Sequence, residues 1–300
     1  MVISAIQSHI RSIEKNEVLY EEKNFDKRIE AIDFIEFHII DQLEDLLQKT
    51  TAPDELHLLK DRAEKIKTKL EEIDSKLFQK LRADIRSVGC AGNEFKAMIN
   101  KYIDLDLSDS QHQQEAGYDN LDIFINGLFS LQAMPEQTKE LELEMVYYQK
   151  TPARVVFEMA EQVSLMQEDI FFDLGSGLGQ VAILVNLLTG VTVNGVEFEP
   201  AFCDYARDCA TELNLPEVKF INTDARQADY SEGTIFFMFT PFRGEIMQEV
   251  LAALRKESLL RKIKIITYGP CTAEVGLQGW LSPVSMKDDN MYKLTVFTSC

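Results

Sequence analysis

The chain has 300 residues, 45% of them hydrophobic and 27% charged, which excludes wholesale disorder and leaves room for one large domain or two smaller ones. Its formal charge is −19, and both halves are acidic, so neither carries the overall basic field that favours binding to phosphate backbones. The five cysteines are scattered without a CxxC pair, which argues against a disulfide framework and a zinc site; no metal is expected. The first residues lack the basic start and apolar stretch of a signal peptide, and no apolar run approaches the ~18 residues of a spanning helix. A cytoplasmic protein without a membrane segment is the expectation.

In chain order, residues 6–103 read as helical. Ile6, Ile10 and Ile13 form a short stripe. Phe25, Ile29, Ile32, Ile35, Ile39, Leu43 and Leu46 form a second. A third seam, Leu59, Ala63, Ile66, Leu70, Ile73 and Leu77, alternates spacings of four and three between charged neighbours. Pro53 and Asp54 suit its start. This seam fits either a homodimer through the helical region or an intramolecular hairpin, in which 55–86 packs on 25–48. Residues 104–120 have little apolar content and read as a linker. The expected division is a helical domain over 1–120, a connecting segment over 121–145 and a second domain over 146–300.

Beyond Gln149 the pattern changes. Ile170–Leu174, Val191–Val196, Val218–Ile221, Thr234–Phe239 and Ile263–Tyr268 read as buried strands, with helices near 179–189, 200–213 and 245–256 between them. Such alternation predicts an α/β fold with a doubly wound, mainly parallel sheet. Trp280–Met286 and Tyr292–Thr298 have no helix between them and read as a terminal antiparallel hairpin.

The residues that carry chemistry follow the first strand. Asp173-Leu-Gly175-Ser176-Gly177-Leu-Gly179-Gln180 leaves a strand and opens a helix, where glycines permit a sharp turn and close backbone approach. The spacing is G-x-G-x-G, and Gln180 stands where a dinucleotide-binding loop has its third glycine. A ligand without a pyrophosphate fits this better; a plain tight turn is the alternative. Glu197 ends the second strand and suits two ribose hydroxyls, or else the start of the next helix. Asp224, in Thr223-Asp224-Ala225, suits an adenine amino group, or else a turn. Thr240-Pro241-Phe242 follows the fourth strand, at the reacting end of a ligand or as an ordinary strand exit. All four lie at the carboxyl ends of strands, where a doubly wound sheet binds ligands.

Over about residues 145–300 the chain resembles the class I S-adenosylmethionine-dependent methyltransferases. Its glycine loop is most similar to that of the non-SET histone lysine methyltransferases, as is the upstream Tyr148-Gln-Lys-Thr151-Pro152. The resemblance implies a Rossmann-like sheet of order 3-2-1-4-5-7-6 with strand 7 antiparallel, and S-adenosylmethionine as cofactor. It places Thr151 at the methionine carboxylate, Gly175, Ser176, Gly177, Gly179 and Gln180 around the methionyl part, Glu197 at the ribose, Asp224 and Ala225 at the adenine, and Phe198 against the ring. One departure stands out: the histone enzymes carry an asparagine pair after strand 4, and other class I members Asn-Pro-Pro or Asn-Pro-Phe, where this chain has Thr240.

All four histidines, His9, His38, His57 and His112, precede the α/β region, so a histidine base could come only from the helical region. Tyr147 and Tyr148 are better placed, as walls or hydroxyl donors. The basic cluster Arg255, Lys256, Arg261, Lys262 and Lys264 precedes the fifth strand, at the sheet end away from a ligand. The expected function is methyl transfer to an unidentified protein side chain or small molecule, with Thr240, Pro241 and Phe242 at the acceptor; an acidic chain disfavours nucleic acid. The alternative is a cofactor-binding interaction protein, its helical region recruiting a partner and its catalysis lost with the asparagine.

Overall fold

The computed structural model describes residues 2–49, 53–89, 91–105, 117–130, 132–284 and 290–300. It divides into two compact units: 1–82 with 98–105, and 83–97 with 106–300. The division expected near 120 and 146 is thus drawn elsewhere, and the connecting segment 121–145 belongs to the second unit.

The first unit is all helical. α1 (Val2–Glu14) and a short 3₁₀ turn (Glu17–Tyr20) lead into α2 (Phe25–Phe34), a π-helical segment (Ile35–Ile40) and α3 (Asp41–Leu47). α4 (Asp54–Val88) is 35 residues long, with acidic side chains in its first turn that complement the helix dipole. Leu56, Leu59, Ala63, Ile66 and Leu70 of its seam pack with Ile6, Ile10, Ile35, Ile39 and Leu43 in one core. The seam is thereby covered within the chain, which is the hairpin arrangement; nothing in it requires a second copy. Sequence periodicity missed Arg28, which lies fully buried on α2. Its guanidinium pairs with Asp74 at 2.6 Å and donates to the carbonyls of Leu19, Glu21 and Glu22, so the buried charge is satisfied.

The second unit holds a seven-stranded sheet of order β3-β2-β1-β4-β5-β7-β6. In chain order, the end of α4 and α5 (Asn93–Ile99) both straddle the division, and α6 (Asn120–Phe129) and α7 (Ala153–Gln162) precede β1 (Ile170–Leu174). Then come α8 (Gln180–Thr189), β2 (Thr192–Glu197), α9 (Pro200–Glu212), β3 (Val218–Asn222), β4 (Ile235–Met238), α10 (Gly244–Ser258), β5 (Lys264–Thr267), α11 (Cys271–Gly276), β6 (Leu281–Pro283) and β7 (Thr295–Ser299). β1 to β5 run parallel, and β7 is antiparallel to both β5 and β6. The sheet order and the antiparallel closure are those that the resemblance implies. β7 starts three residues later than the apolar pattern suggested, and β6 is short; Ser285 and Met286 of that expected strand lie outside the described residues.

α6 was not legible as a helix. A capping box starts it: Asp119 accepts from the Leu121 N–H at 2.8 Å, and Asp122 accepts from the Asp119 N–H at 3.0 Å. Phe172, Leu174, Phe236, Met238 and Ile265 of the sheet pack against Ile246, Val250 and Leu254 of α10. α8 and α9 lie against β1, β2 and β3. Among the described residues, no helix is long and apolar enough to cross a membrane.

Candidate functional site

The strand order reverses between β1 and β4, which opens a crevice beyond their carboxyl ends. Asp173 stands on β1 in register with Gly195 of β2 and Phe237 of β4, so the turn after it enters this crevice. Gly175, Gly177 and Gly179 all have positive φ, 75°, 52° and 82°. Gly177 shows why no side chain is admitted: a Cβ there would stand 2.1 Å from the Tyr148 ring. At Gly175 it would stand 2.4 Å from Pro241, and at Gly179 2.6 Å from Phe220. The loop is therefore held under Tyr148, against the turn after β4 and over β3. The Gly175 and Ser176 N–H groups both donate to the Val196 carbonyl, at 2.9 and 3.0 Å.

A cavity of about 210 Å³ lies beside this loop. Gly175, Glu197, Phe198, Asp224, Ala225, Thr240, Pro241 and Phe242 line it. A smaller one is lined by Thr151, Asp173, Gly175, Ser176 and Gln180. Of the residues singled out from the sequence, Gly177 and Gly179 line neither cavity; they shape the loop.

Three carboxylates differ in state because their surroundings differ. Asp173 is buried, and its carboxyl is pushed up to about 8, first by burial and then by the Glu197 charge. Its Oδ2 and the Ser176 hydroxyl are both buried without a hydrogen-bond partner. Glu197 is also raised by burial, but it accepts from the Gly177 N–H and the Glu199 N–H, both at 2.7 Å, which work the other way. Asp224 is held below the usual carboxylate range by the Arg226 guanidinium, 2.6 Å away.

Sequence reading named Tyr147 and Tyr148 but missed the rest of the segment 137–149, whose polar–apolar alternation over 140–145 forms no strand. It crosses the carboxyl ends of the strands and supplies Gln137, Leu141, Met145, Val146, Tyr147, Tyr148 and Gln149 to the cavity wall. Glu199 anchors one end, accepting from the Thr138 N–H (2.9 Å), the Thr138 hydroxyl (2.6 Å) and the Lys139 N–H (2.8 Å). Burial alone would raise the Glu199 carboxyl; these bonds lower it. The Lys139 ammonium sits 4.1 Å from the centre of the Phe198 ring. Glu142 pairs with Arg226 at 2.6 Å, and the Glu144 carboxylate accepts from the Ile246 N–H at 3.0 Å. The Val146 N–H donates to the Pro241 carbonyl at 3.1 Å, and Met145 bridges to Phe242. Only the glutamates alternating along 140–144 could have signalled a segment that is tied down by acceptors.

Thr240 stands two residues beyond β4, with φ 40°, and on one side of the cavity it lies with Phe239, Pro270 and Tyr292. Among the described residues, no histidine lines the cavity. His9, His38 and His57 belong to the first unit, and His112 lies outside the described residues. In the basic cluster, Arg261 pairs with Glu257 and donates to the Gly233 carbonyl, and Lys264 donates to that of Ser164. These contacts lie at the amino end of β5, as a solvated corner would.

The family model described as "Histone methylation protein DOT1" matches residues 142–250. A protein-lysine N-methyltransferase of Saccharolobus islandicus is 25% identical over 154 residues, which are 49% of this chain and 88% of that protein. An RNA methyltransferase of Salinibacter ruber, solved with S-adenosyl-L-homocysteine, superposes with a TM-score of 0.41 at 25% identity, covering 50% of this chain and 92% of that one. The putative methyltransferase yhhF of Escherichia coli gives 0.42 at 17% identity, covering 50% and 89%. The sheet order, the glycine loop after β1 and the family match over 142–250 lead to one assignment: the chain is a class I S-adenosylmethionine-dependent methyltransferase.

Proposed function

We propose that this methyltransferase modifies lysine side chains of a protein, with the donor held by the residues that line the two cavities. The observation that carries the reading is the acceptor-side wall. It is aromatic and apolar, made by Phe239, Pro270 and Tyr292 beside Thr240, and no histidine among the described residues lines it. An alkylamine entering such a wall is desolvated, which lowers the pKa of its ammonium and yields the free amine needed for attack. The match of residues 142–250 to a histone methylation family, and the likeness to an archaeal protein-lysine methyltransferase, support a lysine acceptor over a small molecule. They do so although Thr240 stands where the histone enzymes have asparagine.

The chain's own groups fit the donor. The unpartnered Asp173 Oδ2 and Ser176 hydroxyl suit the methionyl ammonium, with Thr151 and Gln180 completing that end. The Glu197 oxygens each use one acceptor position on a backbone N–H and keep another for a ribose hydroxyl. Asp224, kept ionised by Arg226, can accept from the adenine amine beside Ala225, and Phe198 can lie against the ring. When bound, S-adenosylmethionine supplies an electrophilic methyl group on a sulfonium. The protein's part is to orient donor and amine in line and to exclude water. Segment 137–149 does the excluding, and the turn Thr240-Pro241-Phe242 does the aiming.

The test is transfer of labelled methyl from S-adenosylmethionine to core histones, free and in nucleosomes, against a panel of small amines and RNA. Label on histone lysine is the expected result. Label confined to a small amine or to RNA would overturn the acceptor assignment.

A further inference from the structure

Cys271 does not line the cavity, and the chemistry above makes no use of its thiol. It is buried at the start of α11, beneath the turn that leaves β4. Two hydrogen bonds tie it reciprocally to Thr240. The Thr240 N–H donates to Cys271 Sγ at 3.4 Å, and the Cys271 N–H donates to Thr240 Oγ1 at 3.3 Å. The thiol also stands 3.4 Å from the Met238 carbonyl and 3.5 Å from that of Tyr268, each within reach of its S–H. One side chain therefore joins the ends of β4 and β5.

Among the described residues, Asn214 and Thr240 are the non-glycine positions with positive φ. Asparagine tolerates that region, whereas a β-branched residue is strained there and persists only when its surroundings hold it. Room for the arrangement comes from Gly269, where a Cβ would stand 3.1 Å from Thr240 Oγ1. With the Thr240 N–H and Oγ1 both engaged by Cys271, the Thr240 carbonyl is the backbone group of that residue left for an incoming amine.

We propose that Cys271 is a positioning residue: its clasp holds Thr240 in the left-handed conformation and thereby sets the acceptor-side wall. The inference rests on reading Thr240 as acceptor-facing.

The test takes the full chain with Cys271→Ala, Cys271→Ser, and the double variant Thr240→Asn with Cys271→Ala, each crystallised with S-adenosylhomocysteine. In Cys271→Ala the backbone at Thr240 should leave the positive-φ region, while S-adenosylhomocysteine affinity stays within about twofold because its binding groups are untouched. Labelling of core histones should show kcat lowered about tenfold with the donor KM unchanged. Cys271→Ser, whose hydroxyl both donates and accepts, should recover much of the rate, and the double variant should regain positive φ unaided. If Cys271→Ala fails to accumulate, the serine and double variants carry the same comparison. Positive φ retained at Thr240 in Cys271→Ala, or kcat and donor affinity falling together in every variant, would overturn the clasp. If the wild type labels no histone, the lysine reading fails instead, and the φ angle alone decides on Cys271.

Discussion

Asp173 offers a pH test of the donor site. Burial and the Glu197 charge push its carboxyl up to about 8, and its Oδ2 has no partner. In the free protein at pH 7 only about one molecule in eleven then carries the ionised form, against about half at pH 8. If that carboxylate receives the methionyl ammonium, S-adenosylhomocysteine should bind roughly fivefold more tightly at pH 8 than at pH 7, with a further tenfold or so lost by pH 6, since each pH unit below the pKa is worth about 1.4 kcal/mol. Binding near pH 7 should release close to one proton. Calorimetry in buffers of different ionisation enthalpy reads both quantities. Asp173→Asn should abolish the pH dependence and weaken binding at pH 8 by about tenfold or more, the worth of a charge-assisted hydrogen bond. Stability should move the opposite way. A buried carboxyl with a raised folded-state pKa binds more protons folded than unfolded, so it weakens the fold as pH rises from about 4 to about 8. The ligand-free asparagine variant should therefore melt above the wild type at pH 8. Proton-neutral binding, or an unchanged pH profile in Asp173→Asn, would refute the reasoning.

Other consequences follow from the geometry. Glu199→Ala removes the acceptor of three bonds from Thr138 and Lys139 and should free segment 137–149; a fall of about 2–4 kcal/mol in stability and weaker donor binding are expected by thermal melting and titration. Gly177→Ala sets a Cβ against the Tyr148 ring at a positive-φ position and should destabilise by more than about 2 kcal/mol. Gly89→Ala, at φ 62° with open space around it, should cost only the backbone term of about 1 kcal/mol. Glu142→Gln loosens the Arg226 tie and should speed S-adenosylhomocysteine release by no more than about fivefold, because exposed ion pairs are worth about 0–1 kcal/mol; stopped-flow displacement measures it.

What the sequence disclosed follows from where its signals are local. β1 and β4, at the centre of the sheet, are short apolar runs buried on both faces, whereas β3 at the edge keeps Lys219 and Asn222 exposed and was legible from Val218, Phe220 and Ile221. The glycine loop was legible because backbone geometry leaves little choice of residue at Gly175, Gly177 and Gly179. Residues 137–146 were opaque for the opposite reason. The alternation over 140–145 builds no strand, and the segment's place is fixed by acceptors far along the chain, Glu199 above all. α6 escaped because its cap is built from Asp119 and Asp122, residues that also mark turns. The strain at Thr240 could not be read either, since nothing in Phe239-Thr240-Pro241 announces a positive φ or a cysteine 31 residues on.

The central claim is that these residues build an S-adenosylmethionine site, and titration of the purified chain with S-adenosylhomocysteine tests it without knowledge of the acceptor. The account predicts one site per chain, NAD binding far more weakly, and Glu197→Ala weakening S-adenosylhomocysteine by about tenfold or more, the loss of a buried charge-assisted contact. Tight binding of NAD with no response to S-adenosylhomocysteine, or an affinity indifferent to Glu197→Ala, would contradict it.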